Sequence, residues 1–385
     1  MNHLHNYLSV VPRRAQRSRA LTIGVAGCLA ALLAASIPGA GAATAKKTTA
    51  KTTTKANSKS TTKAKSTTKA KSTTKSTVKA SKKPGKGLYQ PNGRPPNPAA
   101  PFLWTTQSQD PQLPSVTSFE KATDLAAPGN KLFTMLIIGS DARPGEPYDR
   151  TRGDSVHLFV WWPVTNKGTI IGFPRDLWVD IPGKGKGKLN SSLTLGGPAL
   201  LMATVNAITS PWPALQVNKY VVTGFEGFTN MVNDIGGVNV QVKPSMNDPL
   251  SGAQFAEGWF AMNGDAALAF NRNRHSLPNG DFGRAANQGK FMLYSLAKMR
   301  EETSDVTGIV RWISSLRKNT KTNIKLGDML ILGQMARQID PVNIFNVVVA
   351  GKAGKIKGQD VVLVNSPSMV GLLGDVSHDA IPDGK

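Results

Sequence analysis

"KLFTMLIIGSDARPGEPYDRTRGDSVHLFVWWPVTNKGTIIGF", residues 131–173, holds three apolar runs of strand length. "KLFTMLIIG" ends in a glycine turn, and "SVHLFVWW" and "GTIIGF" follow, joined by "PVTNKG". Short runs rich in Ile, Val and aromatic residues, bounded by Gly, Pro and Asn, are the pattern of buried strands. Between the first two runs lies "DARPGEPYDRTRGDS", residues 141–155, which sets Asp141 and Asp154 among Arg143, Arg150 and Arg152. A loop so crowded with opposite charges is either a solvated ion-pair cluster or part of a site for a metal and a phosphate.

Downstream, strands and helices alternate. "PRDLWVDIPGKGKGKLN" leaves the sheet, and Leu200, Leu201, Val205 and Ile208 then recur at helical spacing. Gly196-Gly197-Pro198 stands before them and makes Pro198 a first-turn residue. "QVNKYVVTG" reads as a strand, "FEGFTNMVNDIGG" as a helix stopped by two glycines, and "VNVQV" as a strand. Asn263 caps a short helix "NGDAALAF", and Asp281 caps a long one starting "DFGRAANQ". Helices near 307–316 and 325–338, a strand "NIFNVVVA" and a last strand–helix pair complete the chain. The pattern predicts an α/β fold: a single layered domain with a central mixed β-sheet flanked by helices.

Upstream the composition changes. No Asp or Glu precedes Asp110, and the first 109 residues carry 19 of the 23 net positive charges. The folded part is therefore near charge balance, and the basic segment would bind a polyanion. Arg13, Arg14, Arg17 and Arg19 precede an apolar run from Ala20 to Pro38, which reads as a membrane anchor or an export signal. "AGA" at residues 40–42 is a small-residue cleavage site, so a cleaved, secreted form is the alternative. An exported basic segment points to anionic wall polymers and the membrane rather than to nucleic acid. Cys28 is the only cysteine, which excludes an intramolecular disulfide. Residues 39–109 are rich in Lys, Thr and Ser and then in Pro, with "KSTTKA" recurring, and read as a disordered tether. The expected organisation is a basic cytoplasmic N-terminus over 1–19, the membrane segment over 20–38, the tether over 39–109, the folded domain over 110–376 and a tail over 377–385.

A second polar cluster, "NRNRHSLPNGDFGRAANQ", spans residues 271–288. Arg272 and Arg274 are two apart, which in extended backbone sends both side chains to one face. Arg284 and Gln288 are four apart and share a helix face. Converging guanidinium forks suit a pyrophosphate, because they pair bidentately with phosphate oxygens. A surface ion-pair network is the plainer reading. Arg175 and Asp176 in "FPRDLWVDIPG", and Lys188 and Asn190 in the loop that follows, add to the first reading. Two carboxylates at strand ends, Asp141 and Asp154, with phosphate oxygens are a usual holding arrangement for Mg²⁺.

In order along the chain, "IIGSDAR", "RGDSV", "PRDLWVDIPG", "KLNSS", "GGP", "FEGFTNMVNDIGGV", "NGDAALAFNRNRH" and "GDFGRAANQ" resemble the LytR-CpsA-Psr phosphotransferases of bacterial cell envelopes. The resemblance covers residues 131–300, with a weaker fit to about 376. It implies a cell-membrane, single-pass enzyme whose extracytoplasmic catalytic domain moves a glycopolymer of the teichoic acid, arabinogalactan or capsule type. The donor would be a polyprenyl-pyrophosphate carrier and the acceptor peptidoglycan, joined through a phosphodiester bond. By matching motif, Asp141 and Asp154 would bind Mg²⁺, with Mn²⁺ as the alternative. Arg175, Arg272, Arg274 and Arg284 would hold the pyrophosphate, with Gln288 adding a hydrogen bond and Arg143, Arg152 and Lys188 as further substrate-binding candidates. The family's lipid channel would be lined here by the Leu200–Ile208 helix, Phe225, Phe228 and Val232, unless these are ordinary core.

Phosphoryl transfer needs positioning and charge neutralisation more than a covalent nucleophile, so arginines and a metal suffice. The general base is left open, with Asp154 one candidate. His157 alternates within a strand and reads as structural; His275, beside the arginine pair, is the better functional candidate. Rival readings are a polyprenyl-pyrophosphate pyrophosphatase, in which water is the acceptor, a non-catalytic wall-polymer binding protein, and an adhesin built on "RGD".

Overall fold

The structure, a computed structural model, describes residues 132–383 apart from 278, 304 and 305. The leader, the tether and the first part of the expected domain lie outside the described residues. The three apolar runs become β1 (Phe133–Ser140), β2 (Gly153–Trp162) and β3 (Lys167–Phe173), an antiparallel meander. The glycine- and lysine-rich segment leaves the sheet as expected. It is a hairpin rather than a loop, β4 (Trp178–Ile181) with β5 (Gly185–Lys188). Helix α1 (Ser191–Ile208) begins earlier than its apolar spacing suggested and is broken at Gly197, whose φ of 70° favours glycine. Pro198, lacking an N–H, opens the second part, where the first turn needs no donor.

Strand β6 (Tyr220–Thr223) and helix α2 (Phe225–Asp234) follow, then β7 (Val238–Val242), β8 (Met246–Asp248), β9 (Ala253–Phe255) and β10 (Gly258–Met262). Strand β7 is the expected alternating run "VNVQV" and pairs with β10, while β8 and β9, three residues each, pair in a hairpin. Helix α3 (Gly264–Arg272) has the expected cap, Asn263, whose side chain accepts from Ala266 N–H at 3.0 Å. Helix α4 (Asp281–Glu302) does not start as expected: Gly280, at φ 51°, takes the cap position, and Asp281 is the first helical residue with its carboxylate turned to arginines. The remainder is α5 (Val306–Asn319), β11 (Lys321–Thr322), α6 (Leu326–Ala336), β12 (Ile344–Val348), the hairpin β13 (Gly351–Ile356) and β14 (Gln359–Val364), and α7 (Ser366–Asp379). The expected tail from residue 377 is instead folded as far as Ile381. Helix α7 continues to Asp379, and the fully buried Ala380 accepts at its carbonyl from Thr169 Oγ1 at 2.7 Å.

The central sheet has six strands in the order β11-β6-β1-β2-β3-β12, with β6 parallel to β1 and β12 parallel to β3. It is the mixed sheet the alternation predicted. Period-2 alternation divides its side chains. Leu136, Ile138, Val156, Leu158, Val160, Ile171 and Phe173 face α1 and α7, in one cluster with Leu193, Leu201, Val205, Leu373 and Val376. Phe133, Trp161 and Ile170 face the other way, toward Leu293 of α4 and Met335 of α6. Among the described residues, α1 is the helix long and apolar enough to cross a membrane by length and composition; here it packs Leu193, Leu201 and Val205 into the core. Gly289 lets α4 lie directly on β12, since a Cβ there has no room beside Asn346. Asn346 Nδ2 donates to Ala286 O at 2.8 Å, which fixes the height of α4 on the sheet.

Candidate active site

Three strand ends meet at one end of the sheet: the end of β1, the start of β2 and the end of β3. They deliver Asp141, Asp154 and, one residue past Pro174, Arg175. The N-terminal turn of α4 brings Asp281, Arg284 and Gln288 to the same place, and the segment after α3 brings Arg272, Arg274 and His275. The two polar clusters, more than a hundred residues apart in sequence, become one.

Arg175 is its centre. Its Nη1 donates to Asp154 Oδ2 at 2.7 Å and its Nε to Asp281 Oδ2 at 3.3 Å, with Asp176 Oδ2 at 3.5 Å. Burial works against the Arg175 charge, but Asp154, then Asp281 and Asp176, outweigh it and raise its pKa. Arg284 Nη2 and Arg274 Nη1 both approach Asp281 Oδ1, at 3.5 and 3.6 Å. Arg284 is only 7% exposed, and burial pushes its pKa down, Asp281 countering. A charge held this far from water is a strong electrostatic partner for an anion. Asp154 Oδ1 and Asp281 Oδ1 are buried without a hydrogen-bond partner. Buried orphan acceptors are costly, and a site in use is one explanation for keeping them.

Asp141 is engaged differently. Arg152 closes on it with its backbone N–H to Oδ1 at 3.0 Å and Nε and Nη2 to Oδ2 at 2.8 and 2.6 Å. Among the described residues no three His, Cys, Asp or Glu side chains gather as a metal cluster. Asp141 and Asp154 suit an ion that takes few protein ligands, Asp154 through its free Oδ1 and Asp141 by sharing or exchanging Arg152.

These groups rim a cavity of about 990 Å³. Its walls beyond the rim are apolar: Ile137 and Val221 of the sheet, Phe225, Phe228, Met231 and Val232 of α2, and Phe291 of α4. The guanidinium of Arg272 lies 4.6 Å from the ring centre of Phe225, at the border between the two zones. Arg143, Arg152, Asp154, Arg175, Arg272, Arg274, Arg284 and Gln288 all line this cavity, as does Asp141. Gln288 donates to the carbonyl of Asn271 at 3.1 Å, tying α4 to α3.

Several expectations are corrected. Lys188 is not among the cavity residues; it belongs to β5 and pairs with Asp176 Oδ1 at 3.1 Å. Arg272 and Arg274 do not alternate along an extended segment: Arg272 ends α3, and the chain turns at the buried Asn273 (φ −54°, ψ 130°). Both still reach the cavity. Phe225, Phe228 and Val232 line the apolar zone, whereas Leu200, Leu201, Val205 and Ile208 of α1 pack in the core on the opposite sheet face. His157 is fully buried, its Nε2–H donating to Ala285 O at 3.0 Å and its Nδ1 accepting from Ser155 Oγ at 3.1 Å. Burial lowers its pKa to about 4, so it is a neutral structural histidine. The cavity residues Asp248 and Arg150 were not singled out as site residues. Asp248 stands alone in "MNDPLSG", with no local pattern to mark it.

A charged rim of arginines and carboxylates thus borders a largely apolar cavity at one end of a mixed α/β sheet. The chain belongs to the LytR_cpsA_psr family, whose model matches residues 105–374. A Bacillus anthracis protein named polyisoprenyl-teichoic acid–peptidoglycan teichoic acid transferase TagU is 36% identical over 198 residues, 51% of this chain and 62% of that one. The chain thus spans about three fifths of the length of the curated relatives it matches. The fold is similar to that of B. subtilis TagV, at a TM-score of 0.56 and 24% identity over 65% of this chain and 98% of that one. It is similar also to TagT bound to LIIa-WTA, at 0.54 and 23% over 66% and 93%.

Proposed function

We propose that the protein is a membrane-anchored extracytoplasmic phosphotransferase that moves a glycopolymer from a polyprenyl-pyrophosphate carrier onto peptidoglycan. The observation that carries this reading is the arginine–carboxylate rim set on an apolar cavity of about 990 Å³. The rim matches a pyrophosphate, the cavity a polyprenyl chain. Family membership and the transferase name of the B. anthracis relative support the same chemistry. Residues 20–38 would anchor the chain, and the basic tether would hold it against anionic wall polymer.

In the reaction the acceptor hydroxyl gives its proton to a base at the site, for which Asp154 is the candidate, as its oxygen bonds to the phosphorus that carries the glycopolymer. The bond from that phosphorus to the bridging oxygen breaks, and polyprenyl phosphate leaves with the electron pair. Arg175, Arg284, Arg274 and Arg272 orient the pyrophosphate and neutralise charge as it shifts onto the leaving oxygens. Asp154 and Asp281 hold the guanidiniums of Arg175, Arg284 and Arg274 in place beforehand, so little reorganisation accompanies the transfer. Asp141 and Asp154 would hold Mg²⁺, or Mn²⁺, which supplies further charge neutralisation at the phosphates.

The test is cleavage of a polyprenyl pyrophosphate by the full chain in detergent, with and without Mg²⁺, beside Asp154→Ala and Arg274→Ala. Metal-dependent release of polyprenyl phosphate, reduced about 10²-fold or more in each variant, is expected. Unchanged activity in both variants, or no binding of the lipid, would sink the reading.

A further inference from the structure

The β8–β9 hairpin at the rim hides a carboxylate. Asp248 is 1% exposed. Its Oδ1 accepts from the N–H groups of Leu250 at 3.1 Å and Ser251 at 3.4 Å; its Oδ2 accepts from those of Arg274 at 3.0 Å and His275 at 3.2 Å. Burial alone would raise its pKa, but the N–H groups of Arg274 and His275, with the His275 ring and Ser251, outweigh burial and hold it well below the usual carboxylate range. The His275 ring then sits on this fixed anion, with Nδ1 at 3.2 Å from both oxygens. A ring nitrogen facing an ionised carboxylate is the donor, so Nδ1 carries the proton. In the neutral ring Nε2 is then an acceptor, and Arg274 Nη2 lies 3.2 Å from it. On its far side Arg274 faces only Asp281 Oδ1, at the looser distance of 3.6 Å.

From this chain we infer that His275 is a positioning residue: held by Asp248, it aims the Arg274 guanidinium at the pyrophosphate of the proposed substrate. The assignment rests on the functional reading above and names a part that reading leaves out. The connection runs from a buried anion through a half-exposed imidazole to a rim cation. The charged groups facing the ring are Asp248 from β8 and Arg274 beside it, with Asp281 of α4 beyond Arg274. A proton added at Nε2 would set two donors against each other and release Arg274.

Imidazole ¹⁵N NMR on the full chain in detergent tests the geometry without any substrate. The Nδ1–H neutral form is expected for His275 at pH 8, and Asp248→Asn should abolish that preference. Binding of geranylgeranyl pyrophosphate, followed by calorimetry at pH 8, tests the role. Arg274→Ala and His275→Ala should each weaken it about tenfold at pH 8, and together no more than either alone. His275→Gln supplies a donor and an acceptor in place of the ring. It should restore binding to within about threefold. An Nε2–H ring at pH 8, or a double variant whose losses multiply, overturns the inference. Loss in Arg274→Ala with wild-type binding in His275→Ala overturns the positioning role alone. Wild-type binding in both Arg274→Ala and Arg175→Ala overturns the functional reading and this inference together.

Discussion

The two faces of the central sheet bury apolar side chains of the same kind to different ends. Toward α1 and α7, Leu136, Leu158, Ile171, Leu193, Leu201 and Val205 close into a continuous core. Toward α2, α4 and α5, the sheet residues Ile137 and Val221 instead face open space, shared with Phe228, Met231 and Phe291. Leaving about 990 Å³ unfilled forfeits dispersion contacts that a close-packed interior would have. The unfilled face is also the one whose end carries the charged rim. Farther along that face Phe133, Trp161 and Ile170 still close against Leu293 and Met335, so the packing is interrupted beside the rim rather than along the whole sheet.

Paired truncations test this contrast, and the largest effect belongs to the filled face. Leu201 is fully buried, so Leu201→Ala should lower the unfolding free energy by about 3–5 kcal/mol in chemical denaturation. Phe228 is half-buried, with its ring 5.5 Å from that of Phe291 and its other side on the cavity. Phe228→Ala should cost only about 1–2 kcal/mol despite removing more atoms. It should weaken binding of geranylgeranyl pyrophosphate while leaving inorganic pyrophosphate unaffected. Equal stability losses with unchanged lipid binding would make the cavity wall ordinary core.

His157 sharpens the comparison from the cavity side, because there a polar contact helps to hold a helix to the sheet. Its ring links Ser155 of β2 to the Ala285 carbonyl of α4. Burial lowers its pKa from the ordinary 6.5 to about 4. Below pH 6.5 the unfolded chain takes up a proton here and the folded one does not. Stability is thus whole above pH 6.5 and falls as pH drops toward 4, by about 3 kcal/mol in all. His157→Gln, which cannot titrate, should show a shallower slope over that window in urea unfolding at stepped pH. An unchanged slope would place the acid sensitivity elsewhere.

Much of this was legible in the sequence, for physical reasons. The strands β1 to β3 were plain because buried strands need continuous apolar runs, and Asn263 because a cap has one strong chemical form. The arginines at 175, 272, 274 and 284 were legible as an ordered set of motifs, and the fold brings all four to one cavity. Spacing alone misjudged Arg272 and Arg274, because the end of α3 falls between them and local periodicity does not show a helix stopping at Asn273. Lys188 lies in the expected glycine-rich segment, but pairing with Trp178 makes that segment a hairpin and brings Lys188 to Asp176 rather than into the cavity. Asp248 stayed hidden because its partners at 274 and 275 are brought to it only by the tertiary fold.

The smallest expected effect lies at the rim, where Asp154 and Asp141 differ as the ligands proposed for a divalent ion. Asp154 keeps a buried oxygen free; both oxygens of Asp141 are bound by Arg152. The Arg152 side chain is 64% exposed, so the pair is a surface salt bridge and Arg152→Ala should change stability by less than about 1 kcal/mol. Its effect on a divalent ion is the informative one. Oδ2 already accepts two guanidinium hydrogens, so an ion reaching Asp141 there must displace Arg152. Removing that competitor, and its positive charge, should tighten Mn²⁺ binding about threefold by calorimetry. Weaker binding in Arg152→Ala would mean instead that Arg152 aims the carboxylate at the ion, with the metal taking the remaining lone pair of Oδ1. The sign of that small change decides whether the Asp141–Arg152 pair is a latch to be opened or a fixed part of the ligand set.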